Sequence, residues 1–129
     1  MNRFVFDTHA LIYALEEPAK LGLRAKQVRL LIETGRAEAF VPAAAVAEIL
    51  LLGGLGRTKV TLTPIAAACE QGMSFLPLDL AQLSEFAACT LLRDPFDRLI
   101  VSAARAMGAK LITKDGLIEE SGLVQTVWS

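Results

Sequence analysis

Short apolar runs and longer stripes of helical period take turns along this chain. Residues 3–6 (RFVF) form a run that stops at Asp7, after which Leu11, Ile12 and Leu15 recur at helical spacing. That pattern predicts a buried strand, a turn and a helix. Pro18 interrupts it, and residues 20–34 resume as an amphipathic helix closed by Gly35. Leu23, Val28, Leu31 and Ile32 are expected inward there, with Lys20, Arg24, Lys26 and Arg29 outward. Residues 39–41 read as a second strand. Pro42 then opens AAAVAEILLL, running to Gly53 and apolar on nearly every side, the mark of a buried helix. Glu48 is its only charge.

Thr63 and Pro64 start a further helix to about Gly72, residues 74–78 (SFLPL) give a third strand, and Asp79 caps the helix LAQLSEFAACTLL. In RDPFDRLIVSAARA, Asp94 suits the N-cap, Pro95 the first helical position and Asp97 the third. Phe96, Leu99, Ile100, Ala103 and Ala104 form the apolar stripe of a helix over 95–107, stopped by Gly108. Residues 110–113 (KLIT) are a fourth strand, residues 117–120 a short helix, and residues 124–127 an edge strand. Strands alternate with helices throughout, which predicts an α/β fold: a three-layer α/β/α sandwich around a short, mostly parallel sheet.

A length of 129 residues suits one domain, 1–129, with a single core. The 53% hydrophobic content is high, and implies apolar surface that an oligomer interface could cover. The longest apolar stretch, 43–52, is half a membrane span and contains Glu48. Residues 1–3 lead directly into a strand without a leader pattern, so a soluble cytoplasmic protein with no membrane partner is expected. Cys69 and Cys89 have no metal-ligand spacing and read as free thiols. A net charge of −1 excludes a broadly basic surface that binds nucleic acid by charge alone. Gly53-Gly54-Leu55-Gly56-Arg57 lacks the phosphate-loop pattern and reads as a helix end and loop.

Four acids sit where a plain fold would not ask for charge. Asp7 and Asp115 each follow a strand, Asp97 lies in the first turn of a helix, and Glu48 interrupts a buried one. Singly, capping explains Asp7, helix-dipole preference Asp97, an Asp-Gly turn Asp115 and an edge position Glu48. Strand carboxyl ends and helix amino ends meet along one edge of a parallel sheet, so all four can face one crevice. Two carboxylates about 4 Å apart repel by roughly 4 kcal/mol at an effective dielectric near 20. Arg98 and Lys114 stand beside two of these acids in sequence, and a divalent ion is the other available compensation. Oxygen ligands without convergent His or Cys point to Mg²⁺ or Mn²⁺. Such an ion can activate water and clamp a phosphodiester. His9, the lone histidine, assembles neither a zinc site nor a triad.

FDTHALIYAL with Asp7, AEILLL with Glu48, RDPFDRLIVSAA with Asp97 and LITKD with Asp115 together resemble the PIN-domain family, specifically its VapC-like toxin ribonucleases. The resemblance runs from Val5 to Asp115. It implies a PIN-like α/β/α domain, a Mg²⁺- or Mn²⁺-dependent endoribonuclease, a homodimer, and a cognate antitoxin that obstructs the acidic groove. On this resemblance Asp7, Glu48, Asp97 and Asp115 match the metal-site acids. Thr8 and Thr113 match polar neighbours that orient carboxylates or water, and Asp94 matches the motif's first Asp, with capping as its role. Relatives often carry histidine shortly before DPFD; this chain has Thr90-Leu91-Leu92-Arg93, so no RNA preference transfers. Arg93, Arg98, Arg57 and Lys59 are candidate backbone contacts for which surface solvation is the simpler account.

Two other classes of function compete. One is a catalytically idle PIN-like module that binds RNA or protein. The other is an aspartyl-phosphate enzyme or receiver, for which Asp7-Thr8-His9 lacks the second acid of a DxD pair.

Overall fold

The computed structural model describes residues 1–129. Its elements run β1 (Asn2–Phe6), α1 (Thr8–Glu16), a 3-10 turn (Pro18–Lys20), α2 (Leu23–Glu33), β2 (Ala37–Pro42), α3 (Ala43–Gly54), α4 (Leu62–Glu70), β3 (Met73–Leu76), α5 (Leu80–Ala88), α6 (Pro95–Met107), β4 (Lys110–Ile112), α7 (Gly116–Ser121) and β5 (Thr126–Val127). The five strands form one sheet in the order β3-β2-β1-β4-β5, and every pairing is parallel. Parallel neighbours require crossovers, which the helices supply.

The pleat of β1 sorts its side chains between two cores. Phe4 and Phe6 join a cluster with Leu11 and Ala14 of α1 and Ala25, Val28 and Ile32 of α2. Val5 joins the opposite cluster with Ile100, Val101 and Ala104 of α6, Leu111 of β4 and Ile118 of α7. α3 contributes to both, Ala45 to the second and Val46 and Ile49 to the first. The α/β/α sandwich is as expected, and its sheet is wholly parallel.

β1 is central, and the order changes direction there. β2 and β3 lie to one side, while β4 and β5 lie to the other. Crevices at the carboxyl ends of strands flanking such a switch point are where open α/β sheets place ligands. Here the switch lies between β1 and β4, joined in register Val5 to Leu111 and Phe6 to Ile112, and the Asp7 N–H extends the ladder to the Ile112 carbonyl at 3.1 Å.

Several expected placements are corrected. Leu23 is 67% exposed, because the buried stripe of α2 is Ala25, Val28 and Ile32, and a residue two positions from it points away. α3 is not buried all round: Leu50 and Leu51 are exposed, as are Leu55 and Leu62 beyond it. Leu51 lies two positions from the core residue Ile49, on the reverse side of the helix. α5 ends at Ala88, earlier than its apolar pattern suggests, because Cys89 and Leu92 drop into the core beside α6.

The carboxyl terminus is tied back across α2. The Trp128 carbonyl accepts from Ala25 N at 3.1 Å, and a Cβ at Gly22 would collide with that same Trp128 backbone. Gly22→Ala is therefore expected to cost about 1–3 kcal/mol by overpacking. Gly54→Ala, at a helical position with open space around it, is expected to gain about 0.4–1 kcal/mol. Urea unfolding midpoints of the two variants should move in opposite directions; a shared direction would contradict this packing.

Candidate active site

Each acid reaches the switch-point crevice for a local reason. Asp7 leaves β1 with extended backbone and caps α1, its Oδ1 accepting from Ala10 N at 2.8 Å. Asp94 caps α6 by accepting from Asp97 N at 2.9 Å, and Pro95 sits at the first helical position. Asp115 leaves β4 and caps α7, accepting from Leu117 N at 2.8 Å and Ile118 N at 3.1 Å. Asp97 and Glu48 are borne on the helices themselves, in the first turn of α6 and midway along α3.

These side chains line one cleft of about 510 Å³. Asp7, Glu48, Asp94, Asp97 and Asp115 form its acidic wall, with Thr8, His9, Tyr13 and Lys114 completing it. The buried Thr8 hydroxyl donates to the Glu48 carboxylate, tying the start of α1 to the middle of α3. The buried Thr113 hydroxyl accepts from Asp115 N at 3.1 Å and faces the Asp7 carboxylate.

No ion pair relieves the charge. The four salt bridges of the molecule, Arg3–Glu38, Lys20–Glu17, Arg29–Glu33 and Arg105–Glu85, all lie elsewhere. Arg98, expected beside Asp97, instead bonds the Phe86 carbonyl at 2.9 Å and covers the Phe86 ring at 4.1 Å. Consecutive residues on a helix do not share a face, which is why sequence adjacency misleads here. Lys114 does reach the cleft, where its Nζ bonds the Tyr13 hydroxyl at 2.9 Å.

Burial pushes the Asp97 carboxyl up to about 7, and the charges of Asp94, Asp115, Glu48 and Asp7 add to the rise. Its carboxylate accepts no protein hydrogen bond, whereas each of the other four does. Asp7 is also raised, chiefly by burial. Thr113, the Ala10 N–H and His9 pull it back, and Asp115 opposes them.

Clustered carboxylate oxygens, buried at Asp7 and half-buried at Glu48, Asp97 and Asp115, without a compensating ion pair are the donor chemistry of a hard divalent ion. No three His, Cys, Asp or Glu side chains are drawn together into a closed coordination set, so the fit lies in donor type and charge.

Sequence reasoning singled out four acids and two threonines; the structure brings all six to this region and adds a fifth acid, Asp94. Asp94 is three residues from Asp97, a spacing that places two side chains on one helix face. Tyr13 was not singled out. Its position four residues after His9 on α1 is the signal that could have found it.

An all-parallel domain with an acidic crevice at its switch point defines the general class, an α/β/α protein with its cleft where open sheets place ligands. The chain belongs to the PIN domain family, whose sequence profile matches residues 4–120. Among curated proteins, none matches the chain in sequence. Solved structures share the fold. VapBC2 from Rickettsia felis, bound to a DNA fragment from its promoter, superposes with a TM-score of 0.73 at 15% identity over 98% of this chain and 99% of that one. DNA-bound VapBC from Salmonella typhimurium gives 0.70 at 14% identity, covering 98% of each chain. FitAcB from Neisseria gonorrhoeae gives 0.61 at 16% identity, covering 95% of each.

The raised Asp97 carboxyl predicts a pH dependence. From about pH 4 to pH 7 the unfolded chain releases this proton while the folded chain keeps it, so the metal-free fold loses stability as pH rises through that window. Asp97→Asn removes the penalty. With the half-exposed position discounted for solvent screening, the metal-free variant should exceed the wild type by about 1–2 kcal/mol near pH 8. That advantage should vanish near pH 4. Urea titrations in chelator read this directly, and an advantage equal at both pH values would contradict it.

Proposed function

We propose that this protein is a Mg²⁺- or Mn²⁺-dependent endoribonuclease, the toxin of a toxin–antitoxin pair. One observation carries the reading. Five carboxylates from distant parts of the chain line a single cleft at the sheet's switch point, and no cationic side chain pairs with them. Family membership supports it, since PIN domains generally act as nucleases and use divalent metals. Solved relatives in complex with VapB or FitA support the antitoxin as partner.

In this reading Asp7, Glu48, Asp97 and Asp115 hold the ion. When bound, it supplies Lewis-acid polarisation of a phosphodiester and a lowered pKa for water. The chain's own contribution is orientation. Thr8 fixes the Glu48 carboxylate and Thr113 faces Asp7 and braces the turn into Asp115, so both act as supporting residues. Asp94 holds the first turn of α6 and thereby the Asp97 backbone. Lys114, steadied by the Tyr13 hydroxyl, is the one cation in the cleft able to meet a phosphate oxygen. No helix is long and apolar enough to cross a membrane, and RNA as substrate favours a cytoplasmic setting. The exposed Leu50, Leu51, Leu55 and Leu62 favour a homodimer through the outer side of α3.

Asp7→Asn and Asp97→Asn are each expected to reduce Mn²⁺-dependent cleavage of RNA by about 100-fold or more while the cooperative thermal unfolding of the protein persists. Chelator should abolish wild-type cleavage. Full activity in both variants would end the assignment. Absence of Mn²⁺ binding by calorimetry would favour the idle binding module instead. For the assembly, light scattering should give twice the chain mass, and Leu51→Glu should halve it; a monomeric wild type refutes the dimer.

A further inference from the structure

The acid cleft continues past Glu48. A second groove of about 780 Å³ adjoins it and shares His9, Tyr13 and Glu48 with it. The connection between α3 and α4 builds its far wall. Gly56, at a φ of 72°, reverses the chain after α3, and Arg57 N returns to the Leu52 carbonyl at 2.9 Å, a common way to end a helix. Three residues later Val60 is buried in the core, its N–H bonded to Thr58 Oγ1 at 3.2 Å. The exposed Arg57 and Lys59 are thus carried on a connection pinned at both ends, and neither forms an ion pair.

Tyr13 stands at the junction of the two spaces. Lys114 from the acid cleft lies 4.9 Å from its ring centroid, and Lys20 from the second groove lies 5.6 Å from it. Lys20 is already paired with Glu17 at 3.3 Å, and Glu16 adds a further negative charge, so Arg57 and Lys59 are the groove's uncommitted cations. On the α6 side nothing equivalent exists: Arg98 is engaged by Phe86, and Arg93 lines neither space.

We propose that this groove seats the RNA strand on one side of the scissile phosphate, with Arg57 and Lys59 binding backbone phosphates. The inference rests on the ribonuclease reading and adds a direction to it. A polyanion entering an acidic cleft is repelled by the wall and follows whatever positive edge adjoins it. Here that edge is the α3–α4 connection with Arg57 and Lys59, not α6. Phosphate contacts of this kind position the strand without reading its sequence.

Fluorescence anisotropy of a labelled single-stranded RNA of about 12 nucleotides, measured in chelator so that cleavage is silent, tests this. Relative to wild type, Arg57→Ala with Lys59→Ala should bind about 10-fold more weakly. The slope of log affinity against log salt should fall in magnitude by about 1.4, two phosphates at about 0.7 each. The charge-keeping pair Arg57→Lys with Lys59→Arg should bind as wild type, and Arg93→Ala should stay within about 2-fold. The proposal is overturned if the alanine pair keeps wild-type affinity or slope, if the charge-keeping pair loses both, or if Arg93→Ala carries the loss. If the wild type cleaves RNA while the alanine pair binds it normally, this inference alone falls. A wild type that neither binds nor cleaves RNA removes the ribonuclease reading as well.

Discussion

Negative charge confined at the mouth of a parallel sheet is the constraint around which the rest of this molecule is arranged. Like charges at contact distance in a half-buried site repel by several kcal/mol. The fold tolerates the crowd because three of the five acids are also structural. Asp7, Asp94 and Asp115 each accept the otherwise unpaired N–H groups at a helix start. Their charge meets the positive end of a helix dipole. Capping and, on the proposed reading, cation binding, which compete as explanations of an isolated Asp, are served by one placement at Asp7 and Asp115.

Glu48 and Asp97 lack that arrangement, and the difference between them is informative. Glu48 receives the Thr8 hydroxyl, a bond made possible because Thr8 is buried at the start of α1 directly after the Asp7 turn. Asp97 receives nothing, lies half-buried among four other acids, and is raised to about 7. Without a cation, protonation of this crowded group persists toward neutrality on the first turn of α6. A cation that binds these carboxylates in the folded chain alone competes with that proton and contributes its binding free energy to stability.

The architecture was legible where punctuation and period agreed. Asp94-Pro95 at one end and Gly108 at the other bracket α6 at Pro95–Met107, and the alternation of strand and helix gave the parallel sandwich. What local pattern could not supply was orientation about each helix axis relative to neighbours not yet in place. Leu23 and Leu51 share the hydrophobicity of the core yet lie half a turn from it. Arg98 adjoins Asp97 in sequence yet finds its partners on α5. The co-location of Asp7 with Asp115 was legible because both follow strands. The inclusion of Asp94 and Tyr13 was not, because each already had a sufficient local role, as cap or as amphipathic helix residue.

The asymmetry of the cleft follows from the same geometry. Its α6 wall is acidic because Asp94 and Asp97, one turn apart, share a helix face, while Arg98, the residue after Asp97, is rotated into packing against Phe86. Its other wall is α1, a helix without acid in its first turn, where His9 and Tyr13 line up four residues apart. Tyr13 gives Lys114 a hydrogen-bond acceptor and an aromatic face, a place for a cation that does not require neutralising any carboxylate. Positive charge can therefore approach the acids from the α1 side without cancelling them. For the ribonuclease proposed above that separation matters, because a salt bridge across the cleft would fill the position such an ion would take.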